Sequence, residues 1–294
     1  MEKYENYELK LSSSLTPKQI INKYNVIPFK GKGQNFLINP GSLNKIIELS
    51  ELCSDDVILE IGSGIGNLTR LILPRVKKLY AVEKDKKLIH ILTEELKEFK
   101  NVIIMNEDIL KHRFSHFIQD EGVKIKVIGN LPYNISTPLL FNLIKERRLV
   151  SSAVLMFQRE FGQRIIADCG SKDYGILSVF CQTFFNIQRG HIINPSSFYP
   201  SPKVESIIIK LIPKGHIKIK PELEKNFKIL VRAAFGKRRK KLKNALLYSA
   251  LSITEDILAI GFKRTGISLD RRPQTLTADE FCKLTEALFT KNVC

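Results

Sequence analysis

Between residues 41 and 157 the chain switches repeatedly between two hydrophobic periods, and this alternation restricts the fold more than any other feature. SLNKIIELSEL carries apolar residues at helical spacing, and DVILEIG is a short apolar run ended by glycine. NLTRLIL is helical again, LYAVE reads as a strand, and DKKLIHILTEELKEF reads as a long amphipathic helix with an acidic first turn. VIIMN, KIKVIGN, a helical stretch near Pro138–Arg147 and AVLMF continue the pattern. Strands separated by helices require a mostly parallel sheet covered on both faces, because a parallel partner is reached only through a crossover. The expected class is therefore α/β. VESIIIKLI, at 204–212, follows a Pro-rich turn instead of a helix and predicts a late antiparallel edge strand.

Beyond Pro213 the pattern changes. After the loop-like KGHIKIKPELE, the segments LEKNFKILVRAAF, KRRKKLKNALLYSAL, TEDILAIG and TADEFCKLTEALF are all helical in period. This predicts an N-terminal extension over 1–25, an α/β domain over 26–213 and a small all-α domain over 214–294. Apolar residues at 44% and charged residues at 26% describe a globular chain with a true core. The longest uncharged run, Val127 to Ile144, is broken by Pro132, Pro138 and three asparagines. It falls short of the roughly 20 apolar residues that span a bilayer. MEKYENYELK carries three glutamates and no apolar signal-peptide core, so a cytoplasmic location and no membrane partner are expected. The five cysteines (Cys53, Cys169, Cys181, Cys282, Cys294) form no CxxC pair, and no disulfide framework or metal site is predicted from them.

The formal net charge is +17, and residues 201–294 hold 20 basic and 9 acidic side chains. A basic excess gathered in one third of the chain points to a polyanionic partner, since neutralised phosphates release condensed counterions. Seven of these cations (Arg232, Lys237, Arg238, Arg239, Lys240, Lys241 and Lys243) fall in RAAFGKRRKKLK, a basic helix without an acid. They are the predicted phosphate contacts.

Glu60-Ile61-Gly62-Ser63-Gly64-Ile65-Gly66-Asn67 lies between a strand and a helix. Glycines Gly62 and Gly64 there let backbone approach a ligand. The spacing is GxGxG, with Asn67 where a dinucleotide fingerprint has its third glycine, which disfavours a pyrophosphate cradle. Glu83 ends the next strand and is placed to accept both hydroxyls of a ribose. Asp108 is expected at the end of the strand after that, where it would accept from an adenine amino group. An adenosine with a free ribose and no phosphates fits these ends, as in S-adenosylmethionine. The fourth strand ends in Asn130-Leu131-Pro132-Tyr133. An amide oxygen beside a backbone carbonyl can accept two hydrogen bonds from one amino group, and Tyr133 offers a face for a base.

In these motifs the chain resembles the ribosomal RNA adenine dimethyltransferase family, whose close relatives are the erythromycin-resistance methyltransferases. GQNFL at 33–37, EIGSGIGNLT at 60–69, VEKD at 82–85, NED at 106–108, NLPYNIS at 130–136 and FYPSPKVES at 198–206 occur in family order. Lys32 departs from the family, which has an apolar residue there. The resemblance implies a Rossmann-like class I methyltransferase sheet using S-adenosylmethionine. It implies dimethylation of the N6 groups of two adjacent adenosines near the 3′ end of small-subunit rRNA, within the assembling small subunit, by a monomer. It further implies that Asn35 and Leu37 touch the cofactor, with Gly62 against its methionine moiety, Glu83 on its ribose and Asp108 on its adenine. Asn130 would stand between cofactor and target, Leu131 and Pro132 would supply backbone acceptors, and Tyr133 and Phe198 would close the two faces of the base. Two alternatives stay open: a large-subunit methyltransferase of the resistance type, and a ribosome-assembly factor with little catalysis. Leu131 and the helical C-terminal domain favour the small subunit.

Overall fold

The computed structural model describes residues 15–28, 33–118, 122–249, 251 and 253–290, so Lys32 and Cys294 lie outside the described residues. The chain forms two compact units. One takes the chain up to Gly162 and Gln188–Pro213, and the other takes Gln163–Ile187 and the chain from Lys214 onward. The helical unit thus includes 163–187, which the sequence pattern assigns to the α/β domain. The reason is aromatic packing. The helix Ile176–Phe184 buries Phe180 and Phe184 against Phe227, with ring centroids 5.8 and 6.1 Å apart.

The strands are β1 (Phe36–Leu37), β2 (Val57–Ile61), β3 (Lys78–Glu83), β4 (Val102–Asn106), β5 (Ile125–Asn130), β6 (Val150–Gln158), β7 (Phe185–Ile193), β8 (Phe198–Tyr199) and β9 (Ser206–Pro213), all in the first unit save the first three residues of β7. Seven of them form one sheet in the order β4-β3-β2-β5-β6-β9-β7, and β1 pairs with β8. The pairs joining β4 through β6 are parallel. Every residue of β2 is buried, as expected of a central strand with both faces covered. β9 runs antiparallel to β6. It does not end the sheet, because β7 lies outside it. FNIQRGHII escapes a period-based reading because Asn186, Gln188, Arg189 and His191 are exposed and polar, as on many solvent-facing edges.

The helix expected near Pro138–Arg147 is Ser136–Lys145. That expected after LYAVE is Lys86–Leu96, and its acid is not in the first turn. Asp85 is the N-cap, accepting from the Lys87 amide at 3.0 Å. Within the expected N-terminal extension, the described residues 15–25 pack on the first unit. Thr16 and Gln19 form a capping box on the helix Pro17–Lys23, whose Ile20 and Ile21 are buried with Phe36, Ile65, Leu88 and Ile91. Lys23 and Tyr24 then both bond the Glu95 carboxylate at 2.8 Å.

Parallel register sets Ile61 beside Val82 and Glu83 beside Asn106, so the strand ends reach one rim together. Gly129 lets β5 join them. A Cβ there would sit 2.7 Å from the Ile61 carbonyl oxygen and 3.1 Å from the Leu131 side chain. Gly129→Ala is expected to destabilise the chain by about 1–3 kcal/mol, the usual effect of overpacking. Urea unfolding checks this, and an unchanged midpoint with unchanged slope would contradict the close approach.

Candidate active site

The turn after β2 holds Gly62 at φ 74° and Gly64 at φ 60°, left-handed values that side chains rarely adopt. A Cβ on Gly64 would also press to 3.2 Å from the Phe36 ring. The turn's amides fasten the next strand. Gly62 N–H donates to the Val82 carbonyl at 2.9 Å, and Gly64 N–H donates to Glu83 Oε2 at 3.0 Å. Glu83 Oε1 accepts from the Asp85 amide at 2.8 Å. Burial raises the Glu83 pKa, against the backbone N–H groups of Asp85 and Gly64 that favour its charge. A carboxylate oxygen has more than one acceptor site, so these tethers leave Glu83 capacity for a further donor.

Residues 34–37 form a strap held to this rim mainly through its backbone. Asn130 Nδ2 donates to the Asn35 carbonyl at 3.1 Å, and Asn67 Nδ2 donates to the Leu37 carbonyl at 2.9 Å. Gln34 Nε2 reaches Asp85 Oδ2 at 2.9 Å. Asn67, in the place of a third fingerprint glycine, is thus a clamp. With Nδ2 engaged, Asn130 is oriented and its Oδ1 remains an acceptor.

Asp108 lies two residues past the end of β4, in the following loop and not on the strand as expected. The ladder stops at Asn106 because that side chain turns back to donate to the Glu83 and Lys84 carbonyls at 3.0 and 3.2 Å. Partial burial disfavours the Asp108 charge, but Lys84 at 2.8 Å and the Leu110 amide at 3.0 Å hold its pKa below the ordinary value. Tyr133 is half-buried, and its hydroxyl pairs with Ser206 Oγ at 2.9 Å. Burial raises its pKa, opposed by that hydrogen bond.

A cavity of about 470 Å³ brings together Asn35, Gly62, Gly64, Glu83, Asp108, Asn130, Leu131, Pro132 and Tyr133. Phe36, Gln34, Lys84 and Asp85 line it as well. Those four and Ser206 were not singled out from sequence, although most lie within or beside the quoted motifs. Two predicted residues are not on its wall. Phe198 is only 4% exposed, and Leu37, its partner in the β1–β8 ladder, 3%. Both join the apolar core with Leu43 and Ile46. The short ladder turns them inward, so Leu37 borders only an adjoining recess of about 30 Å³. The main cavity has the carboxylates of Glu83, Asp85, Glu107 and Asp108 toward one end and the Asn130 oxygen with the NLPY backbone toward the other. Such a wall suits hydroxyl and amino donors and repels a diphosphate.

The predicted basic helix is two helices and a turn. Glu224–Gly236 stops at glycine, Lys240 N–H closes a turn on the Lys237 carbonyl at 2.9 Å, and Leu242–Leu247 follows. Consecutive like charges repel on a helix, and Gly236 weakens its last turn. Several of the cations serve their own unit. Arg238 donates to Gln274 at 3.0 Å and to the Ser171 and Lys172 carbonyls. Lys241 pairs with Asp270 at 2.7 Å, Lys243 with Glu255, and Lys237 lies over the Tyr248 ring. Arg232, Arg239 and Lys240 are exposed.

The pattern of the ribosomal RNA adenine dimethylase family matches residues 30–289. The ribosomal RNA small subunit methyltransferase A of Alkaliphilus metalliredigens is 40% identical over 279 residues, covering 94% of this chain and 97% of that protein. The protein of the same name from Clostridium botulinum is 38% identical over 275 residues, covering 94% and 99%. Among solved structures, a dimethyladenosine transferase from Plasmodium falciparum superposes with a TM-score of 0.70 at 31% identity, covering 84% of this chain and 94% of that one. The 23S rRNA methyltransferase ErmE gives 0.68 at 22% identity, covering 86% and 99%, a likeness of fold.

Beneath the glycine turn, Glu60 of β2 is 1% exposed and borders the small recess. Burial chiefly pushes its pKa up to about 7, with the Thr69 and Ser63 hydroxyls acting the other way. The folded chain therefore keeps a proton that the unfolded chain releases near its ordinary value of 4.5. Rising pH between those values shifts the equilibrium toward unfolding. Glu60→Gln, neutral throughout, is expected to gain about 2–4 kcal/mol on the parent chain between pH 4.5 and 7.5. Urea unfolding of both chains at the two pH values measures this, and a pH-independent difference would refute it.

Proposed function

Because the chain belongs to the ribosomal RNA adenine dimethylase family, we propose that the rim cavity is its S-adenosylmethionine and adenine site, used to dimethylate N6 of two adjacent adenosines near the 3′ end of small-subunit rRNA. The protein is an RNA adenine methyltransferase. It acts in this reading as a cytoplasmic monomer on the assembling small subunit. Glu83 would hold the cofactor's ribose and Asp108 its adenine amine, with Gly62, Gly64 and the backbone of Asn35 around the rest. When bound, S-adenosylmethionine supplies a methyl group made electrophilic by its sulfonium.

The observation that carries this reading is the orientation of Asn130. Its Nδ2 is fixed on the Asn35 carbonyl, which leaves Oδ1 free to accept from a target amine. The carbonyls of Leu131 and Pro132 offer further acceptors on the same wall. The N6 lone pair of adenine is delocalised into its ring. Acceptors drawing on both amino protons favour a pyramidal nitrogen, and its proton leaves after the methyl is gained, so the wall needs no strong base. Tyr133 gives the base a face for stacking, worth about 1–3 kcal/mol against unstacking it from the RNA. The Ser206 bond holds that ring in place. For RNA phosphates the exposed Arg239 and Lys240 are the contacts this reading uses. Arg238, engaged within its own unit, is better read as a strut than as a phosphate contact.

Asn130→Ala is expected to lower methyl transfer to unmethylated small subunits by about a hundredfold or more, as with loss of a group aimed at a transition state. Its cofactor affinity should stay nearly unchanged in calorimetry. Glu83→Ala should weaken cofactor binding instead, by about tenfold or more. Swapped phenotypes would overturn the assignment of the two ends. Reversing Arg239 and Lys240 to glutamate should weaken subunit binding and reduce its salt slope by about 2. An unchanged slope would remove those residues from the RNA contact.

A further inference from the structure

We propose that Glu107, His112 and His116 form a binding site for a divalent transition-metal ion of the zinc type, at the border of the methyl-transfer cavity, whose wall Glu107 also lines. The three residues lie in the loop that follows β4. Glu107 is fixed to the rim by its amide, which donates to the Glu83 carbonyl at 3.1 Å. His112 precedes and His116 belongs to the short helix Phe114–Phe117. The two imidazoles stack with centroids 4.1 Å apart and planes 14° apart. Both stand edge-on to Phe117, at 5.7 and 5.0 Å, and Phe117 is fully buried. The rings therefore rest against a rigid wall.

Both rings aim the same atom at one oxygen. His112 Nε2 lies 3.0 Å and His116 Nε2 2.9 Å from Glu107 Oε2, and one ligand atom from each residue falls within 4.8 Å of the others. Without an ion, each ring turns an N–H toward the same carboxylate oxygen, and two charged rings would stack against their own repulsion. With an ion, neutral imidazole nitrogens and a carboxylate oxygen all act as lone-pair donors to one centre. Zinc–ligand bonds of about 2.0–2.2 Å place tetrahedral ligand atoms roughly 3.3 Å apart. The two nitrogen–oxygen distances, 3.0 and 2.9 Å, open to that by a few tenths of an ångström. Two imidazoles with one carboxylate match zinc, cobalt, nickel or copper better than calcium or magnesium, which prefer oxygen. All three groups are partly exposed, so the ion has an entry path and a fourth position for water. Lys84 on the same surface is paired with Asp108, which leaves Lys111 as the neighbouring opposing charge. The cysteine count carries no hint of this cluster, and His112 and His116 meet Glu107 only through the turn of the loop.

The test uses the full-length protein, stripped with chelator and kept reduced, titrated with Zn²⁺ in a calorimeter and with Co²⁺ by visible absorption. One ion per chain is expected, with cobalt bands of a nitrogen- and oxygen-ligated centre. His112→Ala, His116→Ala and Glu107→Gln should each weaken binding by at least about tenfold. Cys53→Ser with Cys169→Ser, which removes the exposed thiols among the described residues, and His191→Ala should leave it unchanged. Thermal unfolding should rise with Zn²⁺ for the parent chain and not for the histidine variants, which also confirms that those variants fold. Absence of saturable binding, or binding that survives the histidine variants or disappears with the cysteine or His191 changes, overturns the proposal.

Discussion

β5 runs so close to β2 that the Ile61 carbonyl occupies the space a side chain at residue 129 would need. This contact sets the level of the whole rim. One residue beyond Ile61 the chain turns at Gly62, and one residue beyond Gly129 stands Asn130, so turn and amide face each other across a short gap. A Cβ on Gly62 would lie 3.5 Å from the Asn130 carbonyl. Glu83 reaches the same level because Val82 is in register with Ile61. Backbone packing between two central strands thus determines where a carboxylate, an amide and a glycine turn meet, before any ligand is considered.

The wall is completed by a segment distant in sequence. Asn67 opens the helix Asn67–Ile72 and Asn130 ends β5, and both grip strap carbonyls. Below them the unit closes around Glu60, a carboxyl that burial favours in its neutral form. Above them Tyr133 is held by Ser206, which belongs to the antiparallel strand beyond β6. Elements from both sides of the topological switch therefore contribute to one concave surface, where ligands of open α/β sheets are bound.

The parallel half of the sheet was legible because strands buried on both faces read as uninterrupted apolar runs. β7 was not, since an edge strand with arginine, histidine and glutamine facing water has the composition of a loop. Glu83 and Asn130 could be placed because they end strands whose apolar runs stop there. Asp108 was displaced by two residues because Asn106 bends back onto Glu83 and Lys84, a contact between strands that no local pattern announces. Phe198 sits in a family motif, yet pairing with Leu37 turns it into the core, so position in a motif did not fix direction in space. The contact of Ser206 with Tyr133 depends on tertiary convergence, and the Glu107–His112–His116 group on the course of one loop. The basic run could be counted but not apportioned, since separating Arg238 from Arg239 needs the positions of Gln274, Ser171 and Lys172.

The strap is gripped at Asn35 and Leu37 by peptide oxygens, a chemistry every amino acid supplies equally. Exchanging the residues there leaves the handholds in place, so alanine scanning along 35–37 would understate how much the wall relies on this segment. What the clamps read is the path of the main chain, and only a change in its length or course, such as an inserted residue, would release both asparagines at once.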